Sequence, residues 1–296
     1  MKLTQNPAQL ISRVPRRAWR WFLRAAVAAA LFPVLLQCVI AYLVGSDARI
    51  LPPQLQTAKN LLVVTAHPDD ECLFFSPSIL GVLDRRKREM TGGLLVMSTG
   101  NNYGLGETRQ KELQGSCRAL GVHAARCVAL DHPELQDNPT VWWNTTLIED
   151  IVREHVEKWK IDAIITFDEG GVSGHINHRA VSAAVRHYAA TDPEAPVTFT
   201  LTTTALIRKY TLLGDLPLTA LPFAWRIINA LSYPATTADP KTTPRALVAN
   251  TWQRYLKTRE AFAQHPSQYT WDRHLYMIVS RYVWFNDLKR VERLGS

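Results

Sequence analysis

His67, Asp69, Asp70 and Glu71 fall within five consecutive positions of TAHPDDECLFF, directly after the apolar run NLLVV. A buried strand does not crowd four ionisable groups against its end unless they have partners there. A second group of the same kind follows DAIITF, where Asp168 and Glu169 precede His175 and His178 in GVSGHINHRA. His67 with Asp70, and His175 with His178, are each spaced i, i+3, so each pair can converge on one point. A lone His–Asp pair would be read as a salt bridge or a helix cap. Two pairs at two strand ends, offering two histidines and a carboxylate around an open position, describe a catalytic zinc site. Another divalent transition metal would also suit these donors, whereas calcium prefers oxygen alone. Spacing does not say which of His175 and His178 is the ligand. A metal held this way brings the pKa of bound water to ~7 and polarises an amide. Asp69 could then take the water's proton, or instead support His67 from behind.

Such a site needs elements that bring the two loops together. LLVVTA, GGLLVMS, RCVALD, DAIITF and VTFTLTTT are short apolar or β-branched runs. They alternate with longer amphipathic segments such as GETRQKELQGSCRALG and TTLIEDIVREHVEKWK. That alternation predicts an α/β fold, a Rossmann-like, mostly parallel sheet with helices on both faces. In such sheets ligands gather beyond the carboxyl ends of the strands where strand order reverses, between the first and fourth strands in the usual order. The HPDDE and GHINH loops are expected to face that crevice.

Charge and hydropathy divide the rest of the chain. Of 34 basic residues, Lys2, Arg13, Arg16, Arg17, Arg20 and Arg24 precede any acidic residue, so the remaining body is nearly neutral despite a formal charge of +8. A broad phosphate-binding face for nucleic acid is therefore not expected. The uncharged run AAVAAALFPVLLQCVIAYLV reaches the ~20 residues needed to cross a bilayer and exceeds the ~7–15 of a signal-peptide core. The predicted organisation is a basic segment over residues 1–24, a transmembrane helix over 25–45, a polar linker with Pro52-Pro53 over 46–59, and a catalytic domain over 60–296. The broken apolar segment between Tyr210 and Tyr233 reads as core or as a helix lying at the membrane surface. Cys38, Cys72, Cys117 and Cys127 lack regular spacing, which argues against a disulfide framework and for a reducing compartment. Cys72 reads as a small buried residue rather than a nucleophile.

The segments AHPDDE, STGNNYGLGETRQKEL, DHPELQDN, GVSGHINHRA and HPSQYTWDRHLYMIVSRY, in this order, resemble the N-acetylglucosaminylphosphatidylinositol de-N-acetylase family, the membrane branch of the PIG-L or LmbE-like zinc deacetylases. The likeness runs from about Asn60 to the C-terminus. It implies that His67, Asp70 and His178 are zinc ligands, Asp69 the general base, and His175 the residue that polarises the carbonyl and protonates the leaving amine. It implies substrate contacts from Arg109, Asp131 and His265. Soluble bacterial members commonly carry His-Pro-Asp-His where this chain has His175-Ile-Asn177-His178, so the group that orients His175 differs, with Asp168 as one replacement.

The resemblance implies removal of acetate from N-acetylglucosaminyl phosphatidylinositol on the way to glycosylphosphatidylinositol anchors, by a single-pass protein of the endoplasmic reticulum. Basic residues before the span favour a lumenal body; the family and the irregular cysteines favour a cytosolic one, which is the orientation expected. Two other readings are a zinc deacetylase of a different N-acetylglucosaminide and a catalytically silent sugar-lipid binder. A glycosyltransferase is disfavoured because no glycine-rich phosphate loop follows the first strand.

Overall fold

A computed structural model describes residues 16–84, 90–233 and 244–295. Lys2 and Arg13 of the basic segment lie outside the described residues.

The five apolar runs form β1 (Asn60–Thr65), β2 (Thr91–Val96), β3 (Cys127–Ala129), β4 (Ala163–Phe167) and β5 (Val197–Leu201). They pair in parallel in the order β3-β2-β1-β4-β5. β6 (Arg245–Ala249) and β7 (Phe285–Arg290) extend the sheet past β5, each antiparallel to its neighbour. Neither was apparent in the sequence. The sheet order reverses between β1 and β4, so their carboxyl ends share one crevice.

The layers on this sheet are α2 (Ser76–Leu83), α3 (Gly106–Leu120) and α8 (Trp252–Phe262), which pack together, and α4 (Thr145–Trp159) against α5 (Ile176–Thr191). α4 starts where the Asn144 carboxamide accepts from the backbone N–H groups of Thr146 and Leu147 at 3.1 and 3.3 Å, satisfying donors that a helix start leaves free. α3 ends at Gly121, whose φ of 79° places it in the left-handed region that glycine adopts without penalty.

Helix α1 (Arg16–Cys38) continues through a π-helical stretch, Val39–Val44. From Arg17 to Val44 it is long and apolar enough to cross a membrane. It begins several residues before the uncharged run, because the arginines, leucine and alanine there are good helix formers. Its last turns are docked on the body. Ile40 and Val44 enter a core with Leu216, Phe223, Ile227 and Phe285, and the Gln37 amide donates to the Asn250 carbonyl. The apolar segment after Tyr210 supplies this core through α6 (Leu216–Ala220) and α7 (Ala224–Ser232), while Leu218, Leu221, Trp225 and Ile228 on the same segment stay exposed. Residues 46–59, polar in composition, carry Ile50, Leu51 and Leu55 into the interior.

The cysteine expectation needs correcting, since Cys117 and Cys127 form a disulfide with Cα atoms 6.3 Å apart. α3 and β3 are joined by a short turn that brings the two residues face to face, a pairing that irregular spacing conceals. Among the described residues Cys38 and Cys72 are free. The cysteines therefore no longer support a reducing compartment, and the cytosolic orientation rests on the family resemblance.

Candidate active site

At the end of β1 the chain turns sharply, and Asp69 takes a φ of 115°, a left-handed value costly for any side chain but glycine. The turn is held from below, where Glu71 Oε2 accepts from the Asp69 N–H at 2.9 Å. Glu71 is itself fixed by the Ser116 hydroxyl at 2.5 Å and by His265 Nε2 at 2.7 Å. Asp70 folds back on β1, its Oδ2 accepting from the N–H groups of Ala66 and His67 at 3.1 and 2.9 Å. Asp69 and Asp70 consequently point in different directions, Asp69 toward Arg109 at 3.6 Å and Asp70 Oδ1 toward His178 Nε2 at 3.3 Å.

His175 caps α5, accepting on Nδ1 from the Asn177 N–H at 3.3 Å, which leaves Nε2 to carry the proton of the neutral ring. One turn on, His178 Nδ1 donates to the Gly171 carbonyl at 2.9 Å, so its Nε2 lone pair faces Asp70. The ring of His178 lies flat on Phe167 of β4, 4.4 Å between centroids. Donor atoms of His67, His175 and His178 all lie within 4.8 Å of one another. With Asp70 beside them, this set of nitrogens and carboxylate oxygen fits a zinc-like divalent ion. Glu71, Cys72 and His265 form a second compact group, but all three are fully buried away from the cleft and engaged with one another.

Burial would raise the Asp70 carboxyl, yet His178 and His67 hold it well below the usual range. Burial also acts on His178, but Asp70 raises its pKa above the ordinary histidine value. Burial, followed by the nearby His178 and His67, takes His175 down to about 4, so it is neutral at pH 7. Asp69 is raised by burial, against the pull of Arg109, which makes it a stronger base.

A cleft of about 770 Å³ opens over this cluster, lined by His67, Asp69, Asp70, Arg109, His175 and His178 among others. Six of the eight expected site residues thus share one cavity. Asp131 and His265 do not. Asp131 is exposed and accepts from the Gln136 side chain at 3.0 Å, while His265, with 0 % of its surface exposed, belongs to the support under Asp69. The substrate contacts implied for these two residues do not fit their positions. Arg109 is buried, donating to the carbonyls of Gly100 and Pro68, so it clamps the turn that carries Asp69. A Cβ at Gly100 would lie 2.3 Å from Arg109 Nη1, and the φ of 69° there also requires glycine.

Asp168 does not serve His175, because its carboxylate accepts from the Thr203 and Gly170 backbone. Asn177 instead bonds across to His67 Nε2 at 3.2 Å. Asp137 reaches the same nitrogen at 3.1 Å and was missed in the sequence, although it lies within the DHPELQDN segment. Its signal was the position after β3, on the same edge of the sheet as the other two loops. Lys209, Tyr210 and Arg273 also line the cleft and were not foreseen.

A doubly wound sheet with His and Asp donors converging at its switch point has the make-up of an α/β enzyme whose site can hold a metal ion. Residues 62–189 match the PIG-L family, described as GlcNAc-PI de-N-acetylase. A bovine N-acetylglucosaminyl-phosphatidylinositol de-N-acetylase is 39% identical over 229 residues, 77% of this chain and 81% of that one. The Saccharomyces cerevisiae protein of the same name is 32% identical over 248 residues, covering 76% and 79%. In structure, a deacetylase of the teicoplanin biosynthetic pathway superposes with a TM-score of 0.51 at 12% identity, over 80% of this chain and 100% of that one, which is a likeness of fold. The chain belongs to the GlcNAc-PI de-N-acetylase family, PIG-L, and is an enzyme of that deacetylase class.

Proposed function

We propose that this protein hydrolyses the N-acetyl group of N-acetylglucosaminyl phosphatidylinositol, releasing acetate and the glucosaminyl lipid, at the endoplasmic reticulum membrane in the synthesis of glycosylphosphatidylinositol anchors. The convergence of Asp70, His67 and His178 beside the strained Asp69, in a chain of this family, carries the reading.

His67, Asp70 and His178 would hold the ion, which we assign as zinc. When bound, the ion supplies a Lewis acid and a water activated near neutral pH. Asp69, raised by burial, takes a proton from the attacking water and returns it to the leaving nitrogen, a role the resemblance implied for His175 but one that a neutral His175 is poorly charged to fill. His175, neutral and bearing its hydrogen on Nε2, donates to the amide oxygen as charge builds there. Arg109 keeps Asp69 aimed, and Asn177 and Asp137 fix His67.

A lipid substrate requires the cleft to meet a bilayer. Its lining reaches Tyr210, Leu275 and Val279, beside the exposed Leu206, Ile207 and Ile278. We read this rim, together with α1, as the membrane-contacting side of the molecule. A catalytically silent binder is disfavoured, since Asp69 and His175 both face the cleft. The test is release of acetate from N-acetylglucosaminyl phosphatidylinositol by the detergent-solubilised protein, with and without a chelator. Chelator-sensitive release that returns on adding zinc is expected. No release, or release that survives thorough metal removal, would overturn the reaction or its metal dependence respectively.

A further inference from the structure

Lys209 is 6 % exposed and reaches the cleft, yet its ammonium makes no ion pair or hydrogen bond among the described residues. It rests instead among aromatic rings, 5.3 Å from the centroid of Phe74, 5.6 Å from Tyr276 and 5.7 Å from Tyr210. Cation–π contacts recover part of what burial costs a charge, but an ammonium without an anion is an incomplete arrangement. Arg273, half-buried on α9 (Trp271–Val279), faces the same cleft and its guanidinium also has no bonding partner among the described residues. The cleft carboxylates are engaged elsewhere: Asp69 with Arg109, Asp70 with His178, Asp137 with His67, and Asp272 with the Thr270 hydroxyl at 2.6 Å. No carboxylate among the described residues therefore makes an ion pair with either cation, and burial, with Arg273 adding to it, brings Lys209 down to about 8. The Phe74 ring that Lys209 rests on lies beside the reaction centre, its centroid 5.8 Å from that of His178.

We propose that Lys209 and Arg273 form an anion subsite that receives the phosphodiester of the glycolipid while the acetamido group lies at His175 and Asp69. This deepens the function proposed above and rests on it for the substrate class. In the glycolipid the acetamido group sits on the sugar carbon next to the glycosidic linkage and the phosphate on the adjoining inositol ring, so a second, cationic contact across one aromatic ring from the reaction centre can meet the phosphate while the amide is held there. Lysine supplies the point charge and arginine the two-pronged donor that phosphate oxygens accept. The pair would select a phosphate-bearing headgroup over a neutral N-acetylglucosaminide.

The experiment is calorimetric titration of the full-length protein in micelles with two product headgroups, glucosaminyl inositol 1-phosphate and the same glycan without phosphate. Charge-assisted hydrogen bonds predict a preference of about 10- to 100-fold for the phosphate-bearing form. Lys209→Met and Arg273→Gln should each lower that ratio several-fold, the double variant should bring it near one, and Lys209→Arg should keep most of it. Because Arg273 is only half-buried, its variant remains informative if Lys209→Met fails to fold. A ratio near one in the wild type, or one that survives the double variant, overturns the proposal. Inorganic phosphate that displaces the headgroup at its own affinity would assign the pair to free phosphate and overturn the headgroup assignment. Acetate release, followed in parallel, judges the proposed reaction separately, since binding of product headgroups needs no turnover.

Discussion

Asp70 Oδ1 stands 3.3 Å from His178 Nε2, joining the end of β1 to the first turn of α5 across the point where the sheet reverses its order. Neither residue touches the other's segment in sequence; the pairing of β1 with β4 makes them neighbours.

His178→Ala should be purified with much less zinc than the wild type, because a ligand is lost from an already open set. His175→Ala and Asp69→Ala should retain zinc and lose about 10²- to 10⁴-fold in turnover, as expected for groups that move or position a proton. Zinc content and rate on the same preparations check this. A metal-poor His175→Ala would place His175 among the ligands, which its distance to His67 and His178 also permits.

Arg109→Lys should lose about 10²-fold in turnover with little change in KM, since a single ammonium cannot hold the Gly100 and Pro68 carbonyls together beneath Asp69. A loss confined to KM would make Arg109 a substrate contact instead.

Asp215→Asn should destabilise the fold by about 3–5 kcal/mol, because Arg281, 1 % exposed, would keep its charge without its carboxylate. The Thr219 hydroxyl donates to the same oxygen as Arg281, while Arg208 holds the other, and asparagine keeps only one of these two acceptors. The unfolding midpoint reports the change, and zinc content should follow it only through the folded fraction.

Glu71 and His265 predict a pH window. Burial would raise Glu71, but His265 lowers it below its ordinary 4.5, so its contribution is present above that value and lost as pH falls through the depressed folded pKa. Burial would lower His265, but Glu71 raises it above 6.5, so its contribution is complete below 6.5 and lost as pH rises through the elevated folded pKa. The stability gap between wild type and His265→Gln should be widest between pH 4.5 and 6.5 and narrow on both sides. A gap that is flat from pH 4 to 9 would show that the pair is not ionic.

A chain beginning at Leu55 should unfold at a lower temperature than one beginning at Asp47, because it loses buried Ile50 and Leu51 and the bond from the Leu247 N–H to the Ile50 carbonyl at 3.1 Å. Equal midpoints would mean that residues 47–54 behave as a tether.

β1 and β4 were legible because each is buried on both faces and written as a nearly continuous apolar run, β2, β3 and β5 because their short apolar or β-branched runs recur between amphipathic segments, and the β1 and β4 loops because ionisable residues do not end such runs without purpose. β6 and β7 escaped notice because RALVA and FNDLKR carry charge and lie outside the strand–helix alternation, pairing antiparallel only with each other and with β5. Asp131 and Asp137 were indistinguishable as sequence, each an acid after β3. The turn at Pro133–Leu135 sends one to solvent and the other to His67.

The sequence by itself determined the strand and helix rhythm, the apolar N-terminal helix and the residue types of the site, all of which follow from local composition and short spacings. Tertiary structure decided which groups share a dielectric and a cavity. It sealed His265 under Asp69, turned Arg109 into a clamp, paired Cys117 with Cys127, and left Lys209 and Arg273 facing the cleft without an anion. Those outcomes depend on contacts between segments far apart in the chain, and no local pattern records them.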